Sequence, residues 1–551
     1  MPTINVDKKE FLKLINKKLT DKEIEEKISE MGIAVEAVNN QEIIFEIFAN
    51  RPDLLSKNCL VRFVKNYFKN AKSRSYSSKK SNYKLNVNHN VKEIRPYITC
   101  AIVKGLKLDD ENLTEIIQLQ EKLHITFGRN RKKISIGIYP LKEIEFPLTY
   151  EVKKPEEIKF QPLGHEIELS AYEILEKHPK GKEFKHLLES TKFYPILRDN
   201  KNKILSLIPI INSNLTGKVT GETREVFIEC TGSDFNSLSK CLNIIVASLA
   251  DMGGEIYSVE INSSNKKIIT PNLKEEEMKI EVDYINKKLG LSLNSKEIKK
   301  LLERMGYKVK EQKNKFNVLI PSYRVDVIHP IDLVEDVAIA YGYNNLKEEI
   351  PKIATIAEEN NFEIFKNKIA NILIGLNFLE CNSYNLDSKE NQFLKMNLNK
   401  DLPFVELANS LSKEYNILRF WLTPKMIKIL SENKHNEYPQ KIFSIGKDFK
   451  LDSSKETKVK ETQKLSCVIA HEKSNFTEIK QVLDYLTKLL NVNLRLKELK
   501  HNSFIEGRCA SIFINDKEIG FLGEINPKVL ENFELLIPVS ALELDLDKLL
   551  L

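Results

Sequence analysis

No two of the seven cysteines (Cys59, Cys100, Cys230, Cys241, Cys381, Cys467, Cys509) stand in a Cys-x-x-Cys pair. Scattered and odd in number, they exclude a zinc knuckle and a disulfide framework and fit reduced thiols. The longest apolar run, near 242–250, falls far short of the about 20 residues that a membrane helix needs. The N-terminal stretch Met1-Pro2-Thr3-Ile4-Asn5 lacks the core of a signal peptide. A cytoplasmic protein with no membrane partner is therefore expected. Walker A and Gly-x-Gly-x-x-Gly phosphate loops are also missing, so no common nucleotide cradle is written into the chain.

What is present is an ordinary soluble composition, 42% hydrophobic and 30% charged, in 551 residues. That length exceeds one core and implies about three to five domains. The net charge of +7 permits a nucleic-acid partner without arguing for one. Residues 65–84 hold basic side chains with Tyr67, Phe68, Tyr76 and Tyr83 interleaved. Such a run can contact RNA, but a solvated helix end and Ser/Lys linker is the commoner reading.

The chain repeats itself once. Lys22-Glu23-Ile24, Met31-Gly32 and Arg51-x-Asp53 match Lys296-Glu297-Ile298, Met305-Gly306 and Arg324-x-Asp326. Each copy reads as helix, glycine stop, two strands and Arg-x-Asp. In the second copy the strand Phe316-Asn317-Val318-Leu319-Ile320 ends at Pro321. Pro330 then suits the first turn of a helix. Asp332, Glu335 and Asp336 share one face of that helix at i, i+3 and i+4, and Asp326 approaches from the strand. Clustered carboxylates suit a hard cation such as magnesium. Acids in a first turn more often cap the helix and offset its dipole, and on chemistry alone capping comes first.

Residues 86–268 mix strand candidates (97–103, 134–138) with helices (116–126, 239–252), which suggests one α/β domain. Residues 269–347 carry helix, helix and hairpin, a winged-helix-like order. Residues 355–551 open on a helix at 362–374 and contain Phe443-Ser444-Ile445-Gly446-Lys447-Asp448-Phe449 as strand and turn.

The run Arg324-x-Asp326, Asp332-Leu333-Val334-Glu335-Asp336-Val337-Ala338 and Tyr341-Gly342-Tyr343 resembles the phenylalanyl-tRNA synthetase beta subunit family. So, in family order, do 118–124, 128–133, 208–212 and 222–234, which are similar to the editing domain of its archaeal and eukaryotic type. The resemblance implies an α+β multidomain chain: an N-terminal α+β domain with a basic linker (1–85), an α/β editing domain (86–268), a winged-helix-like magnesium-binding domain (269–347) and a catalytically inactive class II synthetase-like domain of antiparallel sheet with helices (355–551). It also implies magnesium on Asp326, Asp332, Glu335 and Asp336. For hydrolysis of tyrosine wrongly attached to tRNA(Phe), it implies a pocket at Leu197, Ser206, Glu229 and Thr231, the last two closest to the chemistry. Glu229 stands where the family has Asp, a longer arm for the same carboxylate. With no Ser-His-Asp or Cys-His set there, a positioned water is expected in place of a covalent intermediate.

The resemblance further implies an alpha subunit as partner in an (αβ)2 heterotetramer, with phenylalanine and ATP handled on the alpha chain. Two residue patterns agree. A class II adenylation site needs a Phe-Arg-x-Glu loop and a Gly-rich strand ending in Arg. Phe443-Ser444-Ile445-Gly446 lacks the Arg and the Glu, and Phe504-Ile505-Glu506-Gly507-Arg508 lacks the Gly-x-Gly. Arg419 and Trp421 are then read as core or interface. Two other readings stay open: a free-standing editing hydrolase, and a winged-helix nucleic-acid-binding scaffold without chemistry.

Overall fold

Short amphipathic elements with capped ends build one small α+β unit twice. In the first copy the strand Thr3–Asp7 leads into helices Lys8–Ile15 and Asp21–Ser29 and the hairpin Ala34–Val38 with Glu42–Glu46. In the second, strand Glu276–Glu281 leads into helices Val282–Leu289 and Ser295–Arg304 and the hairpin Lys308–Gln312 with Lys315–Ile320. Both form a three-stranded antiparallel sheet with the last strand in the middle. The second helix of each copy starts from the same device: Thr20 caps with Glu23 folded back, and Asn294 caps with Glu297 folded back. Each copy is followed by a longer helix, Lys57–Lys69 and Pro330–Tyr341. The repeat is thus larger than its sequence traces, by a strand and a helix in front and a helix behind.

The computed structural model describes residues 2–69, 73–263, 266–351, 353–398 and 403–550. It divides into two units, Met1–Ile350 and Pro351–Leu551. Within the first unit, the segment between the copies forms two facing sheets. One has four strands in the order Glu255–Tyr257, Tyr97–Lys104, Glu225–Gly232 and Ile134–Pro140, all antiparallel. Its outer face carries Ile134, Ile136, Ile228 and Cys230 against the helices Asp110–Ile125 and Phe235–Asp251. Its inner face turns Tyr139 and Phe227 toward Tyr150 and Leu197 of a seven-stranded sheet. The outer core is continuous with the cores of both repeats, from Phe11, Ile24 and Phe45 to Phe316, Leu333 and Val337.

Of the aromatics between 65 and 84, Tyr67 and Tyr76 are buried in this core, while residues 70–72 lie outside the described ones. The second unit is a seven-stranded sheet in the order Leu379–Glu380, Gln440–Leu451, Val459–Ala470, Val539–Asp545, Lys517–Ile525, Phe504–Ile514 and Arg495–Glu498. All its pairings are antiparallel except the first. Helices Asn361–Gly375 and Phe476–Leu490 bury Ile369, Leu373, Leu483 and Leu486 against it.

Gly306 ends the helix Ser295–Arg304 with φ +92°, and a Cβ there would lie 3.3 Å from Asn66 Nδ2; Gly290 has φ +67° and open space around it. Gly306→Ala is therefore expected to cost about 1–3 kcal/mol and more than Gly290→Ala. The comparison is read from the shift in denaturant midpoint of the two full-length variants.

Candidate functional site

Two cavities carry the residues singled out by sequence. The first, about 850 Å³, lies between the repeats. Glu30, Phe48 and Arg51 line it from the first copy, and Asp326, Asp332, Glu335, Asp336 and Tyr343 from the second. The Arg-x-Asp motif is a fork in each copy. Arg324 donates to both oxygens of Asp326 at 2.8 and 2.7 Å, and Arg51 does the same to Asp53 at 2.9 and 2.9 Å. Arg324 reaches on to Asp336 at 2.8 Å, and the Tyr307 hydroxyl also bonds Asp336. Burial works against the charge on Arg324, but Asp336, Tyr307 and Asp326 hold its pKa well above the ordinary value. Burial pushes the Asp326 carboxyl up, and the Arg324 charge beside it outweighs this and holds the pKa below its usual range.

The four-carboxylate magnesium cage expected from sequence is not assembled. Asp326 and Asp336 are both tied to the one Arg324 guanidinium. Asp332 caps its helix, accepting from the amides of Ile328 and His329 at 2.8 and 2.7 Å. Only Glu335 has neither hydrogen bond nor ion pair among the described residues, and its pKa is raised by burial and by Asp336, Asp332 and Asp326. No three metal-binding side chains gather around one point among the described residues. The four acids do share one cavity wall.

The second cavity, about 390 Å³, lies at the edge strand Ile134–Pro140, lined by the helix Asp110–Ile125 and by residues 206–212 of the facing sheet. Its wall is largely apolar (Ile116, Ile136, Ile138, Ile208, Ile210), and Ser206, Asn212 and Glu229 are among its polar groups, with Gln120, His124 and Arg131. Glu229 pairs across the sheet with Gly137, and a Cβ at 137 would lie 2.6 Å from Glu229 Oε1. The bare glycine is what leaves room for the carboxylate. The Tyr139 hydroxyl stands at the junction, 2.9 Å from Ser206 Oγ and 3.3 Å from both Asn212 Oδ1 and Glu229 Oε1. Glu229 Oε2 is buried with no partner. Burial pushes the Glu229 carboxyl up to about 8, against the opposing pull of Arg95 and Tyr139. At neutral pH it is a protonated acid, able to donate as well as accept.

Of the expected pocket residues, Ser206 and Glu229 reach this cavity. Leu197 is the strand partner of Ser206 but packs into the core beside Tyr139 and Tyr150, outside the cavity wall. Thr231 is also outside it. Its hydroxyl and carbonyl both accept from the buried Arg95 guanidinium, at 3.0 and 2.7 Å. Sequence reasoning gave no role to Tyr139, Gly137 or Arg95. A signal existed, since Ser135, Gly137 and Tyr139 alternate with Ile134, Ile136 and Ile138, and a small, polar inner face in a buried strand marks a close approach. At the cavity's rim, Arg131 donates to the carbonyl of Ile210 at 2.7 Å and to Glu121 at 2.9 Å. His124 is kept neutral by burial and accepts the amide of Ile136 at 2.8 Å.

In the second unit Arg419 and Trp421 are packed inside. Arg419 donates to the Lys447 carbonyl at 2.6 Å and to Ser383, and its guanidinium lies where a Cβ on Gly446 would stand. The stretch Phe443-Ser444-Ile445-Gly446 is thus packed against the chain's own Arg419. Trp421 donates its indole N–H to the Gln392 carbonyl at 3.1 Å.

These arrangements can be set beside known proteins. Residues 278–343 match the family described as "tRNA synthetase B5 domain", and residues 346–546 the family described as "Phenylalanyl tRNA synthetase beta chain CLM domain". The chain is 41% identical to the phenylalanine–tRNA ligase beta subunit of Thermococcus onnurineus (strain NA1), covering 98% of each chain. It is 40% identical to that of Pyrococcus horikoshii, covering 99% of each, and 41% identical to that of Methanococcus aeolicus, covering 99% of this chain and all of the other. The crystal structure of an N-terminal fragment of the Pyrococcus horikoshii phenylalanyl-tRNA synthetase beta subunit superposes with a TM-score of 0.59 at 40% identity, over 62% of this chain and 99% of the fragment. Repeat, insertion and sheet unit together are the layout of an aminoacyl-tRNA synthetase subunit. More narrowly, the chain belongs to the phenylalanine–tRNA ligase beta subunit family.

Arg324→Ala strips the counter-charge from two buried carboxylates and is expected to destabilise by about 3–5 kcal/mol at pH 7. The freed Asp326 then takes up a proton more readily, so the deficit shrinks as pH falls toward 5, as chemical denaturation at the two pH values would show. Glu229 works in the opposite sense. Its folded pKa lies above its unfolded one, so folding binds a proton and stability falls as pH rises from about 4.5 to about 8. Glu229→Gln should remove that slope and stand above the wild type in melting temperature at pH 8.5.

Proposed function

We propose that this chain is the non-adenylating subunit of a cytoplasmic phenylalanine–tRNA ligase. It pairs with an alpha subunit as an (αβ)2 assembly, and the alpha chain attaches phenylalanine to tRNA(Phe) at the expense of ATP. The full-length likeness to beta subunits carries this reading. Arg419 against Gly446 supports the absence of adenylation here, because adenylate chemistry needs charged clamps on the triphosphate.

The second cavity is read as the hydrolytic site for tyrosine misattached to tRNA(Phe). A pocket selecting phenylalanine only weakly rejects the same ring with a hydroxyl added, so a second site that rewards the hydroxyl is useful. The observation that supports this is the buried, unpartnered Oε2 of Glu229, a lining residue of a largely apolar cavity. A cavity of 390 Å³ falls within the about 300–1,000 Å³ typical of small-ligand pockets. A phenol entering ring-first would place its hydroxyl against Glu229, and a phenylalanine ring would leave that oxygen unpaired. With no nucleophile–base pair at the cavity, the ester bond is left to an oriented water.

Magnesium belongs at the first cavity. A magnesium ion keeps most of its waters and needs one or two carboxylates. Glu335, with Asp332 and Asp326 beside it, would hold a hydrated ion and be relieved of their mutual repulsion. The ion would supply positive charge at the junction of the repeats.

Purified chain, alone and mixed with the alpha subunit of the same source, is assayed for phenylalanine charging of tRNA. Charging only in the mixture is the expected result; charging by this chain alone would overturn the non-adenylating role.

A further inference from the structure

We propose that Tyr139 is a positioning residue of the second cavity: it tethers the long arm of Glu229 so that the unpartnered oxygen faces the substrate's hydroxyl. This rests on the hydrolytic reading of that cavity and adds to it the part that sets its specificity. The observations are geometric. Glu229 is one methylene longer than aspartate and has few ways to lie flat in a closed space. Gly137 opposite it supplies the space, and a Cβ there would overlap both Glu229 and Tyr139. Tyr139 supplies the constraint, from the same strand and the same face as Gly137. Its ring is fully buried and held against Phe227 with centroids 5.9 Å apart. The hydroxyl is therefore fixed before any ligand arrives.

Proton counting shows what the tether does. The Tyr139 hydroxyl has one proton and three oxygens around it: Ser206 Oγ at 2.9 Å, Asn212 Oδ1 at 3.3 Å and Glu229 Oε1 at 3.3 Å. Its proton goes to the nearest, Ser206, and its oxygen lone pair is left for a donor. A protonated Glu229 can fill that role through Oε1, which leaves the buried Oε2 as the acceptor without a partner. That oxygen is satisfied by a phenol and left unpaired by a bare ring, so discrimination comes from a group held by Tyr139 and not from shape alone.

The test uses the αβ holoenzyme and tRNA(Phe) charged with tyrosine or with phenylalanine. Tyr139→Phe keeps the ring and removes only the hydroxyl. Hydrolysis of tyrosyl-tRNA is expected to lose about tenfold in kcat/KM, mainly through KM, while the slow hydrolysis of phenylalanyl-tRNA changes little. The same substitution is made in a Glu229→Asp background, where the shorter arm needs no tether. There Tyr139→Phe should cost less than about twofold, a coupling that a purely structural role would not produce. Co-purification with the alpha subunit checks folding. Equal losses in both backgrounds, or no loss in either, would overturn the tether while leaving the hydrolytic reading intact. No tyrosyl-tRNA hydrolysis by the wild-type holoenzyme would overturn both.

Discussion

The first unit depends on a pair of buried guanidinium–carboxylate forks. Arg51 with Asp53 and Arg324 with Asp326 occupy matching places at the end of each repeat, and their charges lie close enough to feel one another. Two arginines cannot be brought together in a low-dielectric interior unless each carries its own counter-ion. The Arg-x-Asp spacing guarantees that, because the acid comes two residues along the same chain. The forks thereby let the copies meet across an insertion of more than two hundred residues without leaving charge uncompensated.

From that shared beginning the copies diverge at the next helix. Twelve residues after the arginine, the first copy has Phe63 and the second Asp336. The Arg51 guanidinium lies over the Phe63 ring at 4.5 Å, while Arg324 binds Asp336 as a second carboxylate. One position earlier stand Arg62 and Glu335. Arg62 stacks on Tyr323 and bonds Asp251, closing its side of the junction; Glu335 stays unpaired and keeps the other side open. The same backbone thus gives a packed face in one copy and an acidic cavity in the other.

Much of this was legible in the chain. Strands with clean alternation, such as Phe316 to Ile320, and helices ending in glycine stand close to where their patterns put them. The strand Thr3–Asp7 escaped because only Ile4 and Val6 mark its buried face, too few to signal a period. The spacing of Asp332, Glu335 and Asp336 correctly put them on one helix, but spacing carries no information about partners. The loop of Arg324 decides that two of the four acids share one guanidinium, and the backbone of Ile328 and His329 decides that a third is a cap. At the second cavity, Glu229 and Ser206 were found by resemblance. Tyr139 was not, because the strand was expected to stop at Ile138, one residue short.

The two cavities show how the same functional group is put to opposite uses. Around the first, Arg324 holds the Asp326 carboxyl below its usual range, and four acids line one wall of the space. In the second, burial without a matching cation keeps Glu229 protonated, and the space favours a neutral hydroxyl. A charged Glu229 would attract any cation and any water, and its large desolvation cost would not depend on which ring lay beside it. A neutral acid with one unfilled hydrogen-bonding oxygen exacts that cost only when the ligand fails to fill it. On the proposed hydrolytic reading, such a group would distinguish tyrosine from phenylalanine by the one atom in which they differ, and that would be a reason to keep a buried, unsatisfied oxygen in a core otherwise filled by isoleucine, tyrosine and phenylalanine.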